Sequence, residues 1–240
     1  MALFTEESVR ANIRNRDGKR VFYLAEGDRL TPSAKEWLRN ERVEILPAAK
    51  ASPEQYRLIS GGIVSEKPEH MTHLQADLLV RKDDPRIAFR GWIDLLQAEV
   101  LLVGHMAAQR NETMIFHALN EILQLLRQII QCDVLGTKLD VKSLCGLSLD
   151  EIRQHSHVPQ KYYGQPHFMP AFDDSELLLY VNRIRTVARQ AELAACSAFQ
   201  DRDGNPTRKD ILETMNRISS MLWILEIRMK KGAETDALHR

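Results

Sequence analysis

Through the last two-thirds of the chain, apolar residues recur at the period of a helix. Across residues 85–110 they fall at Ile87, Ile93, Leu96, Val100 and Val103, and across 113–132 at Leu119, Ile122, Leu126, Ile129 and Ile130. The second run stops near Gly136, a residue suited to ending a helix. Ser148-Leu-Asp-Glu151 places a glutamate three residues after a serine, which opens a shorter helix. Pro159, Gly164, Pro166 and Pro170 then interrupt the pattern, so residues 155–173 are expected to form a loop. Ser175 caps a long helix to about residue 199, the stretch DRDGNP at 201–206 turns, and Thr207 begins a last helix to about residue 231. These four long or medium helices and one shorter helix predict a mainly α fold, a five-helix bundle over residues 81–240.

Residues 1–80 follow a different pattern. Arg20-Val-Phe-Tyr-Leu24 and Val43-Glu-Ile-Leu46 are short strand-like runs. Between them Thr31-Pro32 starts a helix through Leu38, with proline just inside its first turn. A small βαβ-like element is expected there, an α/β appendage to the bundle. Residues 47–75 carry Pro47, Pro53, Gly61, Gly62 and Pro68 and read as linker or loop.

Composition narrows the partners. The 240 residues balance 33 basic against 33 acidic side chains, so any anion site must be local and no global field points to nucleic acid. No run approaches the ~18 apolar residues that span a bilayer, and the first twenty residues lack the apolar core of a signal peptide. A cytoplasmic location is expected. Cys132, Cys145 and Cys196 are odd in number and isolated, which fits reduced thiols better than disulfides or a zinc site, and no metal-ligand set is expected.

Polar groups break the apolar pattern in three helices. Arg185, Arg189 and Glu192 share one stripe, beside Ile184, Val187, Ala188 and Ala191, which should face the core; Arg183 should be solvated. Asn216, Ser219 and Ser220 share a face of the last helix beside Ile211, Leu212, Met215, Ile218 and Leu222. Asp94 stands among apolar neighbours in the first long helix, and Lys82, Arg86 and Arg90 gather at its N-terminus, where the backbone favours an anion. Each arginine could be a surface pairing worth at most ~1 kcal/mol. A shared phosphate-binding cleft accounts for all three sets together.

The ordered motifs resemble a known family. Lys82-Asp-Asp-Pro-Arg-Ile-Ala-Phe-Arg-Gly-Trp-Ile-Asp94 is similar to the K-x-D-P-R…G-x-x-D-E-L-N segment of the PduO-type ATP:cob(I)alamin adenosyltransferases. Arg185-Thr-Val-Ala-Arg-Gln-Ala-Glu192 resembles their R-T-x-x-R-R-A-E-R helix, and Asn216-Arg-Ile-Ser219 their N-R-L-S-D helix. The ethanolamine-utilisation (EutT) branch also shares the 30–35 segment (LTPSAK), Thr72-His-Leu74, Asp133-Val-Leu-Gly136 and Cys145-Gly-Leu-Ser148.

That resemblance implies transfer of the 5′-deoxyadenosyl group of ATP to the cobalt of reduced cobalamin, with ATP, Mg2+ and cobalamin (as substrate) in the site and triphosphate released. It implies a homo-oligomer, a trimer ahead of a dimer, with sites between subunits. A reductase and an adenosylcobalamin-dependent lyase are its expected partners, and a bacterial microcompartment is a candidate setting. By position, Asp94 and Arg185 would form a cross-subunit ion pair, and Arg189, Glu192 and Asn216 would contact the nucleotide. Lys82, Arg86 and Arg90 would hold the triphosphate. Cobalt(I) is itself the nucleophile, so the protein need only align C5′ with cobalt and neutralise the leaving group. It must also strip cobalt(II) of its lower axial ligand, which an aromatic ahead of a proline does in this family. In His167-Phe-Met-Pro170 that residue is Phe168, with His167 at the strictly aligned place.

Two family features are absent from the sequence. No glycine-rich phosphate loop is present, so Thr72 joins the expected triphosphate contacts. No cysteine precedes Cys132, so the cysteine-rich metal motif of some ethanolamine-branch members cannot form, and His70 and His73 read as loop residues. His155 and His157 are expected at the surface, Trp92 and Trp223 in core or interface, and Cys196 in the core. The competing reading is a non-catalytic helical scaffold that binds corrinoid or nucleotide.

Overall fold

A computed structural model describes residues 3–16, 19–25, 27–47 and 55–238. The chain divides into two compact units, Met1–Lys67 and Pro68–Arg240.

The first unit is α/β. Its elements are β1 (Leu3–Phe4), α1 (Glu6–Ala11), β2 (Arg14–Arg16), β3 (Lys19–Leu24), β4 (Arg29–Leu30), α2 (Pro32–Asn40), β5 (Glu44–Pro47), β6 (Tyr56–Leu58) and β7 (Ile63–Val64). Strand β3 pairs parallel with β5, with Phe22 opposite Ile45, and α2 is the crossover between them, as the βαβ pattern predicted. Thr31 caps α2 by accepting from the Ala34 N–H at 3.3 Å, with Pro32 in the first turn. Val9, Phe22, Leu30, Ala34, Leu38 and Val43 form the core of this unit.

The stretch 47–75, expected as linker, instead carries β6, β7 and, in the second unit, β8 (Met71–Gln75). Its prolines and glycines punctuate short strands: Gly61 and Gly62 turn between β6 and β7 with φ of 90° and 95°. Pro53 lies outside the described residues. Strand β8 forms an antiparallel hairpin with β9 (Leu78–Arg81), burying Leu74, Leu79 and Val80.

The rest of the second unit is helical: α3 (Pro85–Gln109), α4 (Thr113–Leu135), the short hairpin β10 (Ser143–Leu144) and β11 (Leu147–Ser148), α5 (Leu149–His157), α6 (Pro159–Tyr163), α7 (Glu176–Ala198) and α8 (Lys209–Leu238). Helix α3 packs against α4 and α7, α7 against α8, and α5 and α6 against α8. One continuous core runs through Phe89, Ile93, Leu96, Ile122, Leu126, Ile184, Ala188, Ile218 and Leu222. Each such aliphatic or aromatic side chain stabilises the fold by roughly 1.5–3 kcal/mol. Most of the periodic positions read from the sequence are buried, with Ile87, Ile130, Val187 and Leu212 only partly so.

Part of the predicted loop at 155–173 is helix. Helix α5 runs to His157, and α6 follows at once, with Pro159 at its first position, where the missing N–H costs nothing, and Gly164 ending it at φ 68°. These residues mark the ends of a short helix. Only residues 164–175 remain irregular. Among the described residues no helix is long and apolar enough to cross a membrane.

Candidate functional site

Helices α7 and α8, the end of α5 and the loop 164–175 enclose an open cleft of about 510 Å³. Helix α7 brings Arg185 and Arg189, one turn apart; α8 brings Ser219, Ser220 and Trp223; the loop brings His167, Phe168 and Met169. The stripe geometry behind this is simple. Ile184, Ala188 and Ala191 are fully buried in the bundle, so the adjacent arginines emerge at the edge of the core.

Arg185 is held on two sides. Its Nε donates to Glu226 Oε1 at 3.0 Å, and its Nη2 to Asn182 Oδ1 at 2.7 Å. Its guanidinium carbon lies 5.6 Å from the centre of the Trp223 ring. Nη1 has no partner among the described residues. Glu226 is fully buried, and its Oε2 makes no hydrogen bond among the described residues. Burial pushes its carboxyl up to about 7, Arg185 opposes the rise, and Asp174 adds to it. Arg189 is exposed, and among the described residues no carboxylate pairs with it.

Aromatic rings line the other side. Phe168 stacks on Trp223 with ring centres 5.1 Å apart, and His167 lies nearly parallel to the same ring at 5.9 Å. Lys230 Nζ sits 5.7 Å from the Phe168 ring centre and bonds Asp174 Oδ1 at 2.6 Å. Asp174 Oδ2 accepts the Ala171 N–H at 2.8 Å within the loop, so the Lys230 bond pins this turn of the loop to α8. Burial would raise the Asp174 carboxyl, but these bonds outweigh it and hold the group below its ordinary range. Met169 and Phe172 project into solvent at 87% and 107% exposure.

Glu192 and Asn216 meet each other. Asn216 Nδ2 donates to Glu192 Oε1 at 2.7 Å, and Arg217 Nη1 donates to Asn216 Oδ1 at 2.7 Å. Ser219, which lines the cleft, reaches Glu192 Oε2 at 3.5 Å. The second polar face is thus linked to the arginine stripe.

Other expected contacts lie elsewhere. Arg86 and Arg90 are both bound to Asp133 of α4, at 2.6 Å and 2.7 Å, and Arg90 also donates to the Leu74 carbonyl at 2.9 Å. Asp133 is fully buried, so this triad ties α3, α4 and β8 together, and these two arginines do not share the cleft. Lys82 is exposed at the β9–α3 junction. Asp94 is exposed on α3 and does not meet Arg185 within the chain.

The structure corrects several minor assignments. Trp223, expected in core or interface, forms a wall of the cleft. Cys196 is exposed, not a core residue. Arg183 is solvent-exposed as expected, and it also pairs with Glu99 at 2.7 Å. His155 is half-buried and stacks on Tyr162 at 3.7 Å. Sequence reasoning overlooked Glu226 and the Asp174–Lys230 pair. A lone carboxylate within the apolar run 221–227 (MLWILEI) was the available signal, the same one that singled out Asp94. Among the described residues no group of three or more His, Cys, Asp or Glu side chains could hold a metal ion.

Comparison with known proteins follows the same lines. The family described as cobalamin adenosyltransferase matches residues 63–229. Corrinoid adenosyltransferase EutT of Salmonella typhimurium is 29% identical over 93% of this chain and 90% of its own length. The protein of the same name from Escherichia coli K12 is 28% identical over the same shares. A variant of the PduO-type ATP:co(I)rrinoid adenosyltransferase from Lactobacillus reuteri, solved in complex with ATP, is 18% identical. It aligns over 66% of this chain and 88% of that one with a TM-score of 0.50, a likeness of fold.

Proposed function

The chain belongs to the cobalamin adenosyltransferase family, and from that premise we propose that it transfers the 5′-deoxyadenosyl group of ATP to the cobalt of a reduced corrinoid. The two electrons of cobalt(I) form the cobalt–carbon bond to C5′. The C5′–O bond breaks, and its electrons leave with triphosphate.

The observation that carries this reading is the sharing of one cleft by Arg185, Arg189 and Phe168. Two guanidiniums face the place where negative charge grows on the leaving group, and their hydrogen bonds to phosphate would be charge-assisted. Arg185 arrives oriented, since Glu226 and Asn182 occupy two of its nitrogens and leave Nη1 available. Arg189 is free to bind. Asn216 and Glu192, already bonded to each other, would contact the nucleoside through the Ser219 edge. No side chain need act as nucleophile or general base.

Phe168, backed by Trp223, would press on the lower face of the corrin and exclude the axial ligand. His167, at the same wall, would contact the ring edge. Asp94 would complete the site from a second copy of the chain. Exposed Leu95, Leu101 and Leu102 beside it on α3 supply apolar surface for such self-association. Lys82 remains a candidate for the triphosphate tail. Arg86 and Arg90 drop out of that role because Asp133 already binds both. Mg2+ would come with the triphosphate, whose oxygens suit it. On the likeness to the EutT relatives, the product would serve an adenosylcobalamin-dependent lyase of ethanolamine breakdown.

The test is direct. Purified protein with ATP, Mg2+ and chemically reduced cobalamin should convert the cobalt(I) spectrum to that of adenosylcobalamin with release of triphosphate. A protein that binds corrinoid or ATP and forms no adenosylcobalamin would establish the scaffold reading instead.

A further inference from the structure

Stripping the lower ligand from cobalt creates a second demand. In cobalamin that ligand is a benzimidazole on a ribonucleotide tail, joined to the corrin through one phosphodiester. Once displaced, the tail swings free unless something receives it. A recess of about 470 Å³ between α5 and α6 adjoins the cleft, because His157 lines both. His157 also meets the loop directly, its carbonyl lying 3.2 Å from His167 Nε2.

The recess has the chemistry of a nucleotide tail. Tyr162 is backed on one face by His155, stacked at 3.7 Å, and carries the Lys161 ammonium 5.2 Å from its ring centre. Lys161, on a flexible stem, would swing from the ring to the phosphodiester when a base takes its place. His155 is in turn fixed by the Tyr163 hydroxyl at 2.8 Å, and Arg228 lies 5.2 Å from the Tyr163 ring centre. A tyrosine supported in this way is a preset stacking platform. Arg153 and Lys161 line the same recess with Asp150, so two cations face one carboxylate and leave one positive charge. The Arg153 guanidinium has no ion pair among the described residues. One surplus positive charge matches one phosphodiester, and the volume falls within the range of ordinary small-molecule sites.

We propose that the α5–α6 recess binds the displaced benzimidazole nucleotide tail, with Tyr162 under the base and Arg153 on the phosphodiester. This rests on the corrinoid reading above. It makes the recess a specificity element, gripping complete corrinoids and indifferent to those without the tail.

The experiment compares cobalamin with cobinamide, which has the same corrin ring and no nucleotide. Arg153→Ala and Tyr162→Ala should each raise KM for cobalamin about tenfold, one charge-assisted or stacking contact. KM for cobinamide and for ATP should stay within about twofold, and Tyr162→Phe should restore the wild-type value. Equal loss with both corrinoids, a rise confined to ATP, or no change with cobalamin would overturn the assignment. Direct spectroscopic titration of the two cobalt(II) corrinoids keeps the outcomes separate. Wild-type protein that binds cobalamin more tightly than cobinamide yet forms no adenosylcobalamin would contradict the enzymatic reading and leave the tail site standing. Equal binding of the two corrinoids by an active enzyme would do the reverse.

Discussion

Two arginine pairs sit at i, i+4 spacing on neighbouring helices of the bundle, and their surroundings give them opposite roles. Arg86 and Arg90 of α3 converge on Asp133, which is fully buried and has both oxygens engaged. Arg185 and Arg189 of α7 share the open cleft, but only Arg185 bonds a carboxylate, Glu226, and one oxygen of that group makes no bond among the described residues. In the first pair two cations are matched to one doubly used carboxylate, and the Nη2 of each arginine also donates to a backbone carbonyl, of Asp133 and of Leu74. In the second, donors are left over and an open cleft lies in front of them. Spacing alone does not make an anion site. The number of donors left after the internal carboxylates are satisfied does.

The sharpest way to break this contrast is at Asp133. Removing it leaves two largely buried guanidiniums without a counter-charge, so Asp133→Ala should cost about 3–5 kcal/mol of stability. Urea unfolding would measure it, and a loss below about 1 kcal/mol would mean that the triad is not a structural clamp.

Glu226 gives the next effect, through pH. Its folded carboxyl is raised to about 7 from an ordinary 4.5, so the folded state holds the proton more tightly than the unfolded chain does. The stability it contributes is complete below about 4.5 and is lost as pH rises through about 7, to at most about 3 kcal/mol. Unfolding midpoints from pH 5 to 8 should show this decline in the wild type and a flatter profile in Glu226→Gln. Identical slopes would remove Glu226 from the account.

A smaller and more selective change is expected at the aromatic wall. Phe168→Ala should leave the rate with pre-reduced cobalt(I) within about twofold and slow the reaction about tenfold when cobalt(II) must be reduced on the protein, a barrier change of ~1.4 kcal/mol. Equal slowing in both assays would mean that Phe168 only packs against Trp223.

How much of this could be read from the chain depended on distance along it. Helices α3, α4, α7 and α8 announce themselves because burial on one face imposes a local period, and Thr31, Ser148 and Ser175 announce their own caps within three residues. The arginine stripe beside Ile184 and Ala188 was legible for the same reason. The strands of 56–81 were not, because two- to five-residue strands owe their existence to partners elsewhere and their turns resemble a linker. Nor was the fate of Arg86, whose carboxylate lies 47 positions away. Trp223 looked like any core aromatic until the loop 164–175 laid Phe168 and His167 against it. Chemistry that depends on which polar group runs short of partners is decided in three dimensions.

Triphosphate affinity separates the open arginine pair from the closed one. Calorimetric titration of Mg2+–triphosphate into wild type, Arg189→Ala and Arg90→Ala should show at least a tenfold loss of affinity in Arg189→Ala, one charge-assisted contact, with its unfolding midpoint unchanged. Arg90→Ala should keep the affinity and lose stability. A stably folded Arg90→Ala that no longer binds, beside an Arg189→Ala that binds as before, would contradict the account.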